Sequence, residues 1–311
     1  MLGTTLVIVN PTARSGKAAE AAAAVAGTLD RLRAAAPESL TSATMRYTVA
    51  AGDGTAIARE EGGSFDTVIA IGGDGIVNEV VNGLMALPRS SRPRFGLIPC
   101  GNGDDFARSL GMEREPRRAC EQLEAQALQS TLIDVGQVNG RWFAETLSFG
   151  LDAAIALGTT ELRQKTNRTG TSLYVQCALD QVINHLVAHS MTISVDGGAA
   201  QTIDAYLLAV QNGPSYGGGF KICPDAQLDD GQLNLCYATP PVSKAGAVSL
   251  FLKAKNGTHT NNRHLTFLTA RSLTVDVEAP LPTQVDGEPL PATHYDITLH
   301  PGELDVLRAA R

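Results

Sequence analysis

The sequence predicts two domains of different class, an α/β domain followed by a β-rich domain. First, strand-like apolar runs alternate with helix-like segments up to about residue 131, which predicts a Rossmann-like parallel sheet covered by helices. Second, loops rich in Gly or Asn follow three of the strands, at Asn10, Gly72 and Gly101. Because ligands bind beyond the carboxyl ends of parallel strands, these loops should share one rim. Third, strand-like runs separated by Gly, Pro and Asp turns recur after about Leu132, which predicts an antiparallel β-sandwich.

The elements of the first domain follow from local patterns. Short apolar runs predict four strands, at Leu6–Val9, Met45–Val49, Thr67–Ile71 and Phe95–Ile98. Good helix formers and the helical spacing of apolar residues predict four helices, at Ala18–Ala36, Thr55–Glu61, Val77–Leu84 and Phe106–Leu110.

The second domain is predicted to be mainly strands. Seven runs bounded by turns have this pattern, at Thr131–Val138, Arg141–Phe149, Met191–Val195, Ala205–Gln211, Gln232–Ala238, Ser272–Val277 and Tyr295–Leu299. Two predicted helices, Thr171–Val187 and Val242–Asn256, interrupt them. We therefore expect a first domain over residues 1–131 and a second over 132–311, with the extreme C-terminus returning to the first domain.

The composition argues against several classes of protein. Of the 311 residues, 43% are hydrophobic and 18% are charged, which is typical of a folded globular chain. The net charge of −7 argues against a nucleic-acid-binding protein and weakens attraction to an anionic membrane. No apolar run reaches the length of a membrane span, and Met1–Val9 predicts a first strand rather than a signal peptide. The five cysteines show no C-x-x-C spacing, so we expect buried, reduced thiols in a cytoplasmic protein.

The most informative segment is Ile69–Leu84, where an apolar strand stops at Gly72-Gly73-Asp74-Gly75 and a helix begins directly after it. Such a turn exposes backbone N–H groups and the positive end of a helix dipole, which together bind phosphate. The glycines permit close approach, and Asp74 adds a carboxylate for a phosphate-bound cation. The alternative is that Asp74 is only a turn residue. The segment predicts a nucleotide site with metal-assisted chemistry.

Six short motifs occur in one order along nearly the whole chain. They are NP-x-A-x-SGK from Asn10, GGDG-x-VNEVVNGL from Gly72, P-x-GNGDDFAR from Pro99, NG-x-x-YGGG from Asn212, P-x-A-x-x-DDG from Pro224 and DGE from Asp286. In this order and spacing the chain resembles the diacylglycerol kinase family. More narrowly, it resembles the bacterial soluble lipid kinases related to sphingosine kinases.

The resemblance implies that ATP and Mg²⁺ bind at the loops of the first domain. The nucleotide-binding residues that it implies are Asn10, Pro11, Ser15, Gly16, Lys17, Thr48, Gly72, Gly73, Asp74, Gly75, Asn78, Glu79 and Asn102. Three positions depart from the family pattern: Ile76 replaces a Thr or Ser, Asn102 a Thr, and Asp104 an Asn. Ile76 lacks a hydroxyl donor for phosphate, whereas Asp104 should raise one carboxyl pKa or recruit a cation. From the residues alone, helix capping by Ser15, Asp104 or Asp105 is the alternative.

The resemblance also assigns the acidic residues. Glu288 is implied as the general base that takes a proton from a lipid hydroxyl, with Asp286 supporting it and Asp105 positioning Mg²⁺. A structural Mg²⁺ is implied as well, and the residues implied at it are Gln227, Asp230, Gln232 and Asp134. Without the resemblance, Asp230 and Asp286 are equally well explained by Asp-Gly turns, and Asp134 by a turn or a strand edge.

The predicted function is that of an ATP-dependent lipid kinase working between the two domains. The resemblance implies a cytoplasmic enzyme that meets its lipid transiently at the membrane surface, and it leaves a homodimer open. Diacylglycerol is the first acceptor to expect, followed by phosphatidylglycerol or a sphingoid base. Two alternatives remain: an NAD-kinase-like enzyme, because that family also uses a GGDG loop, and a catalytically weak nucleotide- or lipid-binding protein. The three departures from the family pattern are the main support for the last.

Overall fold

The computed structural model describes residues 2–166, 168 and 170–310, and for Ser15 and Thr171 it describes the backbone alone. The described chain forms two compact units, one from Met1–Ile133 with Gly302–Arg311 and the other from Asp134–Pro301. The chain therefore passes from the first unit into the second and back.

Strands and helices alternate in the first unit. Its elements are β1 (Gly3–Val9), α1 (Lys17–Ala35), β2 (Leu40–Tyr47), α2 (Asp53–Glu61), β3 (Thr67–Gly72), α3 (Asp74–Met85), β4 (Arg94–Pro99), α4 (Asp105–Ser109), α5 (Pro116–Glu124) and β5 (Leu128–Val138), whose last residues belong to the second unit. Short 3-10 helices occupy Ala13–Gly16, Gly62–Ser64 and Arg89–Ser91. The strands lie in the order β2-β1-β3-β4, and each neighbouring pair is parallel. This arrangement confirms the predicted α/β class.

The centre of this sheet is apolar because β3 is buried over its whole length. Ile69 and Ile71 of β3 belong to one core with Val7 and Val9 of β1. The Ala-rich helix α1 packs its small side chains into the same core. A continuous buried run is expected for a parallel strand that is covered on both faces.

The C-terminal residues complete the first unit. Val306 is fully buried and pairs in parallel with Phe95 of β4. The side chain of Arg92, only 8% exposed, donates from Nη1 to the carbonyl oxygen of Glu303 (2.6 Å) and to its carboxylate (2.9 Å). Its other nitrogens donate to carbonyl oxygens at and just after the end of α3. These bonds fix the returning segment to the sheet.

The second unit contains two antiparallel sheets. Its elements are β6 (Arg141–Phe143), β7 (Thr146–Gly150), α6 (Leu151–Thr166), α7 (Thr171–Asn184), β8 (His189–Val195), β9 (Gln201–Ala205), β10 (Leu207–Gln211), β11 (Leu233–Ala238), α8 (Lys244–Ala254), β12 (Leu265–Ala270), β13 (Ser272–Asp276), β14 (Thr283–Val285), β15 (Glu288–Pro289) and β16 (His294–Ala309). One sheet has the order β12-β11-β10-β7-β14-β15. In the other, β13 lies between the first part of β16 and β8, and β9 follows β8.

The core of the second unit draws on both of its sheets. Leu147 and Phe149 from one sheet form a single buried cluster with Ile193 and Tyr295 from the other. The rings of Phe149 and Tyr295 meet edge to face, with their centroids 4.9 Å apart. Two antiparallel sheets that share one apolar core make a β-sandwich, which confirms the predicted class of this domain.

The structure contains elements that the sequence pattern does not predict. Helices α5 and α6 are two of them, and α6 begins directly after β7 because Gly150 adopts a left-handed conformation (φ 74°). The segment Arg141–Phe149, predicted as one strand, forms β6 and the greater part of β7 with a break between them. The last strand continues to Ala309 rather than ending at Leu299. Among the described residues, no helix combines the length and the apolar composition that crossing a bilayer requires.

Candidate functional site

Two glycine loops of the first unit touch at the carboxyl ends of β3 and β4. The N–H of Cys100 donates to the carbonyl oxygen of Gly72 (2.7 Å). A Cβ on Gly73 would lie 2.8 Å from the Cα of Gly101, and a Cβ on Gly101 would lie 2.5 Å from the Cα of Gly73. Neither position can therefore carry a side chain unless the other loop moves. The two loops thus form one surface, in agreement with the prediction that they share one rim of the sheet.

Asp74 fixes this contact between the loops. It begins α3, and its Oδ1 accepts the backbone N–H groups of Asp105 (2.9 Å) and Phe106 (3.3 Å) at the start of α4. Asp104, in a left-handed conformation (φ 50°), accepts the N–H of Gly101 (2.8 Å) through its own carboxylate. The side chain of Asp74 therefore joins the beginnings of the two helices that follow β3 and β4.

The carboxylates in this corner repel one another. Burial, with repulsion from Asp105 and Asp104, raises the pKa of Asp74 to about 7, although two N–H donors stabilise its ionised form. Burial also raises the pKa of Asp104, and the charges of Arg114 and Arg14 counteract this rise. Carboxylate oxygens are the ligands that Mg²⁺ prefers, and a bound cation relieves their repulsion. A magnesium–nucleotide complex, whose phosphate oxygens would supply the remaining ligands, fits these carboxylates.

The loop after β1 lies at the same edge of the sheet. The N–H of Asn10 donates to a carbonyl oxygen at the end of β3 (3.0 Å), and Pro11 follows it, half-buried. Gly16 precedes α1 in a left-handed conformation (φ 91°), and Lys17 begins the helix with its side chain exposed. The side chain of Ser15 lies outside the described part of the structure.

The side chains of Thr48 and Glu79 bind neighbouring backbone groups. Thr48 is buried at the end of β2, where its hydroxyl donates to the carbonyl oxygen of Val9 (3.3 Å). The carboxylate of Glu79 accepts the N–H groups of Gly52 (3.0 Å) and Gly54 (2.9 Å) at the start of α2. Both residues shape the backbone around the loops, and their direct contact with nucleotide stays a prediction.

The beginning of α3 is open on one side and closed on the other. A Cβ on Gly75 would meet no atom within 4 Å, so a ligand can approach the first turn. Ile76 is 3% exposed, and its methyl groups fill the space beside Gly72 and Gly54. Ile76 therefore packs beneath the loop. Asn78 is buried one turn along the same helix, and Asn102 is half-buried on the loop after β4.

In the second unit, Asp134 organises the loop that contains residues 227–232. Asp134 is 3% exposed, and its Oδ2 accepts the N–H of Gly231 (2.7 Å). Its own N–H donates to the carbonyl oxygen of Leu228 (2.6 Å). Asp134 and the predicted metal loop are therefore brought together.

Asp230, Gln227 and Gln232 are exposed on this loop. Partial desolvation and repulsion from Asp134 and Asp229 raise the pKa of Asp230, whereas the N–H of Gln232 favours its ionised form. Within the described residues, no group of three or more His, Cys, Asp or Glu side chains is arranged to hold a metal ion. A cation here would rely on backbone oxygens beside the carboxylates, which is a donor set that hard cations accept.

Asp286 anchors the turn that carries Glu288. Its carboxylate accepts three backbone N–H groups, those of Ala144 (2.8 Å), Glu145 (3.1 Å) and Thr146 (2.8 Å). Asp286 adopts a left-handed conformation (φ 45°), and Glu288 follows on the exposed strand β15. The carboxylate of Asp286 thus fixes the turn between β14 and β15 to the segment before β7.

Asn212 links the loop that contains residues 227–232 to this turn, and the sequence pattern assigned it no role. It is fully buried, and its Nδ2 donates to the carbonyl oxygens of Asp134 and Ala144, at 2.8 Å each. Because the N–H of Ala144 donates to Asp286, hydrogen bonds run continuously from Asp134 to the Glu288 turn. The Asn-Gly of the fourth motif was the signal for this position.

Two buried acids of the second unit were also missed. Glu145 is 6% exposed, and a Cβ on Gly213 would overlap its carboxylate. Asp152 is 4% exposed at the start of α6. Burial raises the pKa of Asp152 to about 6, while hydrogen bonds from Ser148 and Tyr216 favour the ionised form. Both acids stand in mainly apolar stretches, where their spacing matches no catalytic pattern.

Comparison with known proteins gives two matching family models. The model described as "Diacylglycerol kinase catalytic domain" matches residues 4–138. The model described as "YegS C-terminal NAD kinase beta sandwich-like domain" matches residues 145–308. The two matches follow each other along the chain in the order of the α/β and β-sandwich parts.

Individual relatives agree with these models. A diacylglycerol kinase of Bacillus subtilis (strain 168) is 32% identical over 243 residues, which are 78% of this chain and 77% of that protein. A Chromohalobacter salexigens protein named "Probable lipid kinase YegS-like" is 31% identical over 261 residues, covering 84% and 82% of the two chains. The crystal structure of a diacylglycerol kinase from Bacillus anthracis str. Sterne has the same fold, with a TM-score of 0.78, 24% identity and coverage of 98% and 96%. The chain belongs to the lipid kinase family of diacylglycerol kinase-like and YegS-like proteins.

Proposed function

We propose that the protein transfers the γ-phosphoryl group of ATP to a lipid hydroxyl. The observation that carries this proposal is the contact between the loops at Gly73 and Gly101, which Asp74 holds together. Phosphoryl transfer depends mainly on positioning and on neutralising charge. A fixed corner of backbone N–H groups with carboxylates behind it supports both requirements.

The nucleotide is proposed to bind at this corner. The open approach to Gly75 leaves the first turn of α3 accessible, and N–H groups at the start of a helix bind phosphate. Lys17 adds an exposed positive charge at the start of α1. Ile76 packs beneath the loop, so the phosphate contacts are assigned to backbone N–H groups rather than to a side-chain hydroxyl.

Mg²⁺ is proposed to bind together with the nucleotide, beside the carboxylates of Asp74 and Asp105, with Asp104 adding negative charge nearby. Because the described acids form no group of three arranged to hold a metal, phosphate oxygens would complete the ligands of the cation. When bound, the cation neutralises phosphate charge. Desolvation and the neighbouring acids disfavour the ionised form of Asp74, and a cation bound beside it would favour that form.

Glu288 is proposed as the general base, and Asp286 as the residue that positions it. The exposed carboxylate of Glu288 is accessible to a substrate hydroxyl. Asp286 holds the turn through three N–H groups, and Asn212 connects that turn to Asp134 and the proposed structural metal loop. A cation on that loop would therefore stabilise the turn that carries the base.

Diacylglycerol is the proposed acceptor, because the B. subtilis relative is named for it. NAD is the second candidate, since the model that matches the β-sandwich names NAD kinase in its description. Transfer of radioactive phosphate from [γ-³²P]ATP to diacylglycerol, phosphatidylglycerol, a sphingoid base and NAD distinguishes these acceptors. Labelling of NAD alone would assign the NAD kinase activity instead.

Glu288→Gln tests the assignment of the base. It is expected to leave Mg-ATP binding unchanged in calorimetry and to lower turnover by about 10²-fold or more. Glu278→Gln, another exposed glutamate of the second unit, is the matched control and should retain turnover. Wild-type turnover in Glu288→Gln would remove Glu288 from the mechanism, and undetectable Mg-ATP binding by the unmodified protein would refute the kinase proposal.

A further inference from the structure

Helix α8 exposes an apolar side chain where a surface helix usually carries charge. Seven of its eleven residues are Ala, Val, Leu or Phe, yet within the helix only Ala254 is buried. Ala245, Ser249 and Leu252, spaced i, i+4 and i+7, are exposed on one face, and Leu252 is 57% exposed. The outward face of a helix in a globular protein is normally polar or charged. Leu252 is therefore available to contact a partner.

The opposite side of α8 is fixed to the second unit. The ring of Phe251 stacks on that of Phe220, with centroids 4.6 Å apart and an interplanar angle of 24°. The N–H of Lys221 donates to the carbonyl oxygen of Ala254 (2.8 Å), and Ser243 caps the first turn. The helix is thus held firmly while its outer face stays open to solvent.

The segment that contains α8 has a charge opposite in sign to that of the chain as a whole. The 45 residues from 231 to 275 contain five Lys or Arg and no Asp or Glu, although the whole chain has a net charge of −7. Lys244 and Lys253 lie exposed at the two ends of α8. Helix α7, which packs against α8, carries one acid, Asp180, whose carboxylate accepts a hydrogen bond from Asn184 (2.8 Å). The segment that contains α8 is therefore positively charged.

We propose that α8 docks the protein onto an anionic lipid bilayer, with Leu252 entering the interface and Lys244 and Lys253 facing anionic headgroups. Helices that lie on membrane surfaces combine apolar side chains with lysines, and Leu252, Lys244 and Lys253 of α8 are all exposed. This inference rests on the proposed function for its biological purpose, because a lipid acceptor lies in a bilayer. It explains how an acidic chain reaches that bilayer: the attraction is local and does not require a positive net charge.

Co-sedimentation with vesicles tests the proposal in the absence of ATP. The wild-type protein is expected to bind phosphatidylcholine vesicles that contain phosphatidylglycerol, to bind pure phosphatidylcholine less, and to be released by salt. Lys244→Gln with Lys253→Gln should weaken binding by about 25-fold, at about fivefold for each lysine near the surface. Leu252→Ser should weaken it by about tenfold through the loss of apolar burial.

Control variants at other surface positions distinguish the loss of the α8 surface from the loss of any exposed leucine or any positive charge. Leu132→Ser changes an exposed leucine of the first unit, and Arg33→Gln removes an exposed charge of α1. Both should bind vesicles as the wild type does, and circular dichroism should show every variant folded. Wild-type vesicle binding by the α8 variants, or equal binding to neutral and anionic vesicles, would overturn the proposal. So would dimerisation in sedimentation velocity that Leu252→Ser abolishes, because it would assign α8 to a second copy.

A water-dispersed short-chain diacylglycerol separates failure of this proposal from failure of the proposed function. The α8 variants should phosphorylate it at the wild-type rate while losing activity on vesicles. Vesicle binding that depends on α8, without phosphorylation of any lipid, would leave the docking surface standing and refute the kinase. Phosphorylation of vesicle lipid at the wild-type rate by the α8 variants would refute the docking surface and leave the kinase standing.

Discussion

Replacing Asp152 by asparagine should stabilise the second unit at neutral pH while changing its shape very little. Asp152 is 4% exposed at the start of α6, and burial raises its pKa from 3.8 to about 6. A rise of this size corresponds to about 3 kcal/mol at a pH above both values. Asparagine has nearly the same shape and carries no charge, so it should not incur this penalty.

The raised pKa of Asp152 determines how the stability difference between Asp152→Asn and the wild type changes with pH. The folded state holds the Asp152 proton more tightly than the unfolded state, so the wild type loses stability as the pH rises from about 4 to about 6. The stability difference between Asp152→Asn and the wild type should therefore grow by about 2 kcal/mol between about pH 4.5 and about pH 8.

Urea unfolding followed through tryptophan fluorescence measures this difference. The chain has one tryptophan, Trp142, which lies in the second unit on β6 and against His300, so the signal reports the unit that contains Asp152. Asp180→Asn, at an exposed position of α7, is the control and should leave the pH profile as in the wild type. A stability difference that stays constant from about pH 4.5 to about pH 8 would refute the assignment of a buried, proton-binding Asp152.

Three further substitutions test the predicted phosphate loop and the hydrogen-bonded segments around the turn that carries Glu288. Asp74→Ala should weaken Mg-ATP binding in calorimetry, with exposed Asp30→Ala as the control; wild-type affinity would mean that the phosphate loop is misassigned. Asp286→Ala removes the acceptor of three N–H bonds and should lower the free energy of unfolding of the second unit by about 3 kcal/mol, measured through Trp142 fluorescence. A loss of activity with no loss of stability would contradict its role in fixing the turn. Gly213→Ala places a Cβ against the carboxylate of Glu145 and should cost about 1–3 kcal/mol in the same assay, whereas an unchanged midpoint would show that this carboxylate moves aside freely.

The sequence predicts well what depends on local patterning. The alternation of apolar runs and helical spacing gave the α/β class, and the GGDG segment was correctly placed at a strand–helix junction. Gly73 and Gly101 were expected to share a rim because both follow parallel strands. Their direct contact could not be predicted, because it depends on how adjacent strands end in three dimensions.

What the sequence does not show is where side chains far apart in the chain meet. Asn212 joins Asp134 to Ala144, residues 78 and 68 positions away from it. The carboxylate of Asp286 accepts N–H groups from the segment before β7. An Asp-Gly turn that looked purely local is therefore held by long-range hydrogen bonds. Helix α6 was missed because Gly150 turns the chain from strand to helix with no polar loop between them.

The return of residues 302–311 to the first unit sets an order on biosynthesis. The ribosome releases the chain from its N-terminus, so residues 1–133 emerge long before Val306 is available to pair with Phe95 and before Glu303 can bind Arg92. While the second unit is being translated, β4 lacks its pairing with Val306, and Arg92 lacks its ion pair with Glu303. The first unit is therefore begun before the second and completed after it, so premature termination anywhere in the second unit would leave both units incomplete.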